Sequence, residues 1–234
     1  MPQSGYDQIA SEYYDGRHIT SRNFDRATQT ALANQGFADT APAGLVLEIG
    51  AGRGRSTEFL NIPPSRIVQL DNSEKMLSLN PREPCLVRVH ADACRIPLVS
   101  HQFAAVTGFL VDPFLGLDSL AEAYRMLVDG GRLLLTTPTK VWGEPLRKQL
   151  KIDVMTTRFK LVAREGTIIL PSILHSSERI NEMLRLIGFR SIRVTVHHLP
   201  EGESQISDDI TSVCKELGLS NYHLPIVHVI TAQR

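Results

Sequence analysis

The sequence predicts the α/β class, a mostly parallel sheet covered by helices. Apolar runs of strand length alternate with segments of helical period along most of the 234 residues, which is the pattern that strand–helix–strand units leave in a sequence. The run Leu133-Leu134-Leu135 is apolar without alternation, as a strand covered on both faces requires. A glycine-rich turn, Gly50-Ala51-Gly52-Arg53-Gly54, follows the first apolar run directly.

Residues 1–36 read as one or two amphipathic helices, with Ile9, Tyr13 and Tyr14 near one face and Phe24, Ala27, Ala31 and Leu32 near another, ended by Gly36. Leu45 to Ile49 is the first and central strand, and Thr57 to Leu60 continues as a helix. The second strand, Ile67 to Leu70, ends in Asp71, and Asn72 or Ser73 caps a helix through Met76 and Leu77. A third strand lies near Leu86–His90 and a fourth within Phe103–Gly108. Ser119 and Glu122 have capping-box spacing at the start of a helix holding Leu120, Ala123, Tyr124 and Leu127. Asp129-Gly130-Gly131 then turns the chain into a fifth strand, Arg132 to Thr137.

Residues 138–174 break the rhythm with Pro138, Trp142, Gly143 and Pro145, followed by an extended stretch from Gly166 to Pro171, and read as an insertion or lid. A helix from Ser177 to Leu186 stops at Gly188, and Phe189 to Val196 forms a sixth strand. A helix over Ser207–Leu217 stops at Gly218 before a last strand, Ile226 to Ile230. This divides the chain into a helical cap (1–36), a ligand-binding core (37–137), an insertion (138–174) and the remainder of the same α/β domain (175–234).

Composition narrows the function. Basic and acidic residues number 25 each, and a general polyanion binder would be more basic. Cys85, Cys94 and Cys214 show no CxxC spacing, so neither a disulfide framework nor a metal site is expected. No apolar run approaches the roughly 18 residues of a membrane span, and the first residues lack a basic start followed by an apolar stretch. The expected location is therefore cytoplasmic.

A strand, a glycine turn, a helix and a second strand ending in an acid form an informative set. Bare backbone at the turn admits close approach of a ligand, and Asp71 at a strand's carboxyl end is placed to accept from both hydroxyls of a ribose. A dinucleotide fingerprint needs a glycine at the sixth position counted from Gly50, where Arg55 stands. No Lys-Ser or Lys-Thr follows, so the phosphate loop of nucleotide hydrolases is also absent. Glu48 would repel a pyrophosphate but suit a ligand bearing an amino group and a sulfonium, which favours S-adenosylmethionine over NAD.

The segments Leu47–Gly54, Leu70-Asp71 with Met76, Ala91-Asp92-Ala93 and Leu127–Leu133 resemble, in order, the successive motifs of class I S-adenosylmethionine-dependent methyltransferases. Tyr6–Asp15 is similar to the segment that precedes that core, and Gly188-Phe189 with its strand to a later part. The resemblance implies a Rossmann-like seven-stranded sheet with an antiparallel last strand, helices on both faces, and S-adenosylmethionine as cofactor with S-adenosylhomocysteine as product. It implies that Glu48 and the backbone of Gly50 and Gly52 hold the methionine end and that Asp71 holds the ribose. Asn72 and Met76 would flank the adenine, with Asp92 and the Ala93 N–H at its edge. Phe109 would line the boundary with the acceptor, and Tyr13 or Tyr14 would close over the methionine carboxylate. No catalytic residue is assigned, because the sulfonium already activates the methyl group.

The expected acceptor is a small molecule, methylated on oxygen, nitrogen or carbon. Between Lys140 and Arg164 seven basic residues face two acidic ones, so this lid would attract an anionic acceptor; an RNA or protein substrate on the lid, or a non-catalytic cofactor-binding regulator, are the rival readings. Asp112-Pro113-Phe114 resembles the Asp-Pro-Pro-Tyr loop of adenine amino-methyltransferases but has one proline and lies about three residues late, and is read as coincidence. His101 falls at the wrong end of the sheet; His18, His90 and His175 stay open as site residues, and His197-His198 reads as a solvated pair.

Overall fold

The computed structural model describes residues 5–13, 18–34, 43–79, 85, 87–153, 155, 158–163 and 166–234. Tyr14, Gly36 and Leu86 therefore lie outside the described residues. Two helices, α1 (Gly5–Ile9) and α2 (Ile19–Asn34), precede the sheet. The alternation then runs β1 (Val46–Ile49), α3 (Ser56–Leu60), β2 (Ile67–Asp71), α4 (Glu74–Ser78), β3 (Val87–His90), β4 (Phe103–Gly108), α5 (Leu117–Met126) and β5 (Leu127–Pro138). After it come α6 (Lys140–Gln149), the strands β6 (Arg158–Ala163) and β7 (Gly166–Pro171), α7 (Ser177–Ile187), β8 (Arg190–His197), α8 (Asp208–Leu217) and β9 (Val227–Gln233).

Among the described residues, seven strands make one sheet in the order β3-β2-β1-β4-β5-β9-β8, and β6 pairs with β7 as a separate antiparallel hairpin. The pairs β1–β2, β1–β4, β2–β3 and β4–β5 are parallel, and β9 runs antiparallel to both its neighbours. The expected sheet, with its antiparallel last strand, is the one observed. Strand order reverses direction at β1, so the carboxyl ends of β1 and β4 diverge into a crevice, where open α/β sheets bind ligands.

Period-2 geometry splits the apolar side chains between the faces. Leu133 and Leu135 pack with Leu120 and Ala123 of α5 and Ile180 and Leu184 of α7, while Leu134 faces Ala31 and Leu32 of α2 and Phe59 and Leu60 of α3. A further cluster joins Phe24, Trp142, Leu146, Ile210, Val213 and Val227, gathering α2, α6 and α8 onto the start of β9. There the Phe24 and Trp142 rings meet edge to face at 4.8 Å.

Three local expectations change. The helix expected at Ser119 begins earlier: Gly116 is its cap, and the Ser119 hydroxyl accepts the Gly116 N–H at 3.1 Å. Glu122 instead turns to Arg125 and to the Ile96 N–H. The turn expected at Asp129-Gly130-Gly131 is an irregularity inside a longer β5, which already pairs at Leu127 with Phe103. Residues 140–149, expected as irregular, form a helix despite Pro145, because Thr139 caps it by accepting the Trp142 N–H and its apolar side is buried against α2 and α8. Packing outweighs the lost backbone hydrogen bond.

Candidate active site

The glycine turn fills the crevice floor. Gly50 and Gly52 have φ of 61° and 49°, in the left-handed region where other residues are strained. A Cβ on Gly50 would stand 2.7 Å from the ring of Phe114, so bare backbone is required there. Glu48, on the face of β1 toward α3, accepts the N–H groups of Arg55 and Ser56 at 2.6 and 2.8 Å with one oxygen and faces the Gln69 amide with the other. It thereby satisfies donors that a helix start leaves open. The loop is also closed on itself, since Ala51 N donates to Leu70 O, Gly54 N to Ala51 O and Gly52 N to the Asp71 carboxylate. Of the turn's backbone donors, the N–H groups of Ala51, Gly52 and Gly54 are thus already engaged within the fold.

Asp71, at the end of β2, accepts from Gly52 N and Ser73 N at 2.8 Å each. The Asn72 N–H also bears on the carboxylate, so three of its roughly four acceptor sites are used; the arrangement fixes the carboxylate while leaving it able to accept from a ligand hydroxyl. Burial raises the Glu48 and Asp71 carboxyls above the ordinary carboxylate range, for Asp71 with help from the nearby Asp7 charge.

A cavity of about 310 Å³ opens over this floor. Tyr13, Glu48, Gly50, Gly52, Asp71, Asn72, Met76, Asp92, Ala93 and Phe109 all line it, so every site residue expected from the sequence that falls among the described residues is brought together. Met76, Leu70 and Ala93 give it apolar walls, and Asp92, held by accepting the Cys94 N–H at 2.8 Å, stands at its rim. Tyr6, Ser21, Asp25, Arg55 and Phe114 line it as well, and none of them was given a cofactor-binding role from the sequence. Arg55 is held by Asp25 and Glu58. No spacing rule would have found Asp25, which lies on another helix 30 residues away.

A second cavity of about 500 Å³ shares Tyr6, Tyr13, Ser21, Leu110 and Pro171 with the first. Leu110, at the junction, has φ of 56°, a strained conformation for a branched residue that its neighbours must enforce; its N–H donates to the Thr136 hydroxyl at 3.0 Å. The remaining walls come from α2, α6, β7 and the start of α8, and include His18, Phe24, Asp112, Trp142, Asp208 and Asp209. Asp112, set aside on sequence grounds, stands on this wall just past β4. Burial pushes its carboxyl up to about 7, against a hydrogen bond with Ser172 and the charge of Arg147. Its distance from the strand end was the available signal, because ligands gather beyond the carboxyl ends of such sheets.

The histidines separate by place. His18 reaches the second cavity, whereas His175 meets Leu115 O and His90 meets Asn72 O. Burial lowers His197, which faces the Thr195 hydroxyl at 2.8 Å, so it is half-buried rather than solvated. Among the described residues, no group of three metal-ligating side chains occurs and no helix is long and apolar enough to cross a membrane.

The family described as a methyltransferase domain matches residues 47–135. A demethylmenaquinone methyltransferase of Clavibacter sepedonicus is 31% identical over 140 residues, 56% of this chain and 55% of that protein. A ubiquinone/menaquinone biosynthesis C-methyltransferase of Burkholderia mallei is 31% identical over 154 residues, 61% of this chain and 62% of that protein. The chain thus spans less than two thirds of the length of these relatives. A solved S-adenosylmethionine-dependent methyltransferase of Thermotoga maritima has the same fold, with a TM-score of 0.64 at 22% identity, covering 98% of each chain. Residues 47–135 are thus similar to a methyltransferase domain, and the whole chain shares the fold of S-adenosylmethionine-dependent methyltransferases.

Proposed function

We propose that the protein transfers the methyl group of S-adenosylmethionine to a small-molecule acceptor, with the cofactor in the first cavity and the acceptor in the second. The observation that carries this reading is the junction: two cavities meet at Tyr6, Tyr13, Ser21, Leu110 and Pro171, at the crevice where strand order reverses.

The residues fit the cofactor. Four carboxylates, Asp25, Glu48, Asp71 and Asp92, line the first cavity with one guanidinium, that of Arg55, which suits a ligand carrying a sulfonium and an ammonium. Asp71 would accept from the ribose diol, Met76 and Leu70 would hold the adenine, and Phe109 with Leu110 would face the reacting end. When bound, the cofactor supplies a methyl group already activated by a sulfonium that departs as a neutral thioether. What the chain contributes is alignment, which is worth roughly 7–11 kcal/mol when two reactants are held in line.

The family match ends at residue 135, and the second cavity's walls, apart from Leu110 and Asp112, lie outside it. Most of the acceptor's surroundings are therefore supplied by this chain's own cap, insertion and the start of α8, with Leu110 and Asp112 added from the core. Calorimetric titration with S-adenosylhomocysteine tests the reading. The wild-type chain binds it, and Asp71→Ala weakens binding on the order of 10-fold or more, since each hydrogen bond to a charged group contributes about 1.5–3 kcal/mol. Unchanged affinity in a folded Asp71→Ala protein, or no binding by the wild type, defeats it.

A further inference from the structure

The second cavity has a charge pattern opposite to that of the insertion which helps to build it. Among the described residues, its lining contains Asp112, Asp208 and Asp209 and neither lysine nor arginine, although residues 140–164 carry a surplus of basic residues. The fold produces the inversion. Arg147 is buried, donating to Ser172 O at 2.7 Å and standing close enough to act on Asp112. Lys140 pairs with Glu144, and Lys148 and Lys151 are exposed. Among the described residues, the cavity wall thus carries no lysine or arginine to meet an anionic acceptor.

Two further polar atoms point to a ligand. The indole N–H of Trp142 and Nε2 of His18 belong to residues of this lining, and both are buried with no hydrogen-bond partner among the described residues. Trp142 is only 7% exposed, so water does not easily replace that partner. The remaining walls, including Phe24, Leu110, Leu170 and Ile206, are apolar.

We propose that this cavity takes a small molecule bearing a basic nitrogen on an apolar body, and that Asp112 holds that nitrogen and accepts its proton. The proposal rests on the methyl-transfer reading above. A protonated amine has no lone pair with which to attack. When its proton passes to the Asp112 carboxylate, the freed lone pair forms the new nitrogen–carbon bond. The pair of the broken carbon–sulfur bond stays on sulfur as the thioether, and the positive charge ends on the methylated nitrogen. Asp112 is left as a carboxylic acid and returns its proton to solvent once the product leaves. Its position suits the task, because Leu110 and Pro113 on either side of it both line the first cavity. A carboxyl that titrates near neutrality can both take and release the proton.

The charged and titratable groups around Asp112 are Arg147 from α6, Asp208 and Asp209 from α8, His18 ahead of α2, and Tyr6 and Tyr13 from the N-terminal segment. Trp142 is the sole tryptophan of the sequence, so its emission reports on this cavity. The test titrates the full chain, saturated with S-adenosylhomocysteine, with 2-phenylethylamine and with 3-phenylpropanoate, which match in size and differ in charge. The amine is expected to bind at least 10-fold more tightly, with affinity falling as pH drops below about 7 and the Asp112 carboxylate is lost. Asp112→Asn is expected to bring the two probes within two-fold while leaving S-adenosylhomocysteine affinity unchanged. Should that variant not fold, the wild-type preference and its pH midpoint decide alone. Equal or tighter binding of the carboxylate, no saturable response to the amine, or a preference that survives in folded Asp112→Asn overturns the proposal. Failure of the wild type to bind S-adenosylhomocysteine overturns the methyl-transfer reading instead.

Discussion

Two residues show how the site stores its requirements. Gly50 combines φ of 61° with the Phe114 ring 2.7 Å from where a Cβ would lie, so Gly50→Ala adds backbone strain and a clash. A loss of about 1–3 kcal/mol in chemical unfolding is expected, together with weaker S-adenosylhomocysteine binding as the ring is driven into the cavity; equal stability would show that the loop relaxes freely. Asp112 makes a pH prediction. Its folded-state value near 7 lies above that of an unfolded aspartate, so across pH from about 4 to about 7 the folded chain holds a proton that the unfolded chain has released. This group's contribution makes stability fall as pH rises through that window. Asp112→Asn removes it, and the plot of Tm against pH should become flatter between those limits.

At the scale of elements, Ser73 ties the N-terminal segment to the core. Its hydroxyl accepts the Met76 N–H, capping α4, and donates to Asp7 of α1 at 2.6 Å. Gly5 of α1 also approaches Ile169 O and Leu170 of β7, at 3.3 and 3.2 Å from a Cβ built there. The cavity roof is thus one assembly of α1 and the β6–β7 hairpin, anchored to the helix that carries Met76. Ser73→Ala should cost about 1 kcal/mol through the lost cap and speed amide hydrogen exchange over residues 5–9. Unaltered exchange there would mean that α1 is held by its apolar contacts alone.

For the whole molecule, the cluster around Trp142 is continuous with the sheet through Val227 of β9, whose neighbouring residues Val229 and Ile230 enter the two main clusters. The cap, insertion and sheet should therefore unfold together, with Trp142 emission and far-ultraviolet circular dichroism tracing coincident denaturant transitions. A Trp142 transition at lower denaturant would show that α2, α6 and α8 detach first.

Local chemistry made the core legible. The Gly50–Gly54 turn, Asp71 closing a strand and the even coverage of Leu133–Leu135 each follow from neighbours within a few residues, and the first cavity assembles from the residues those signals name. The second cavity did not share that legibility. Asp112, Trp142 and Asp208 are distant in sequence and meet only when α6, α8 and the end of β4 pack together. Charge behaved likewise, since a surplus counted along the insertion says nothing of which side chains turn inward, and burial against Ser172 and Asp112 removed Arg147 from the wall. Sequence alone determined the sheet's class, the bare-backbone turn and the acid that closes β2, because backbone propensity and period are written locally. The tertiary structure decided which side chains line the second cavity, because a cavity wall is a sum over elements whose side chains choose a face only on packing.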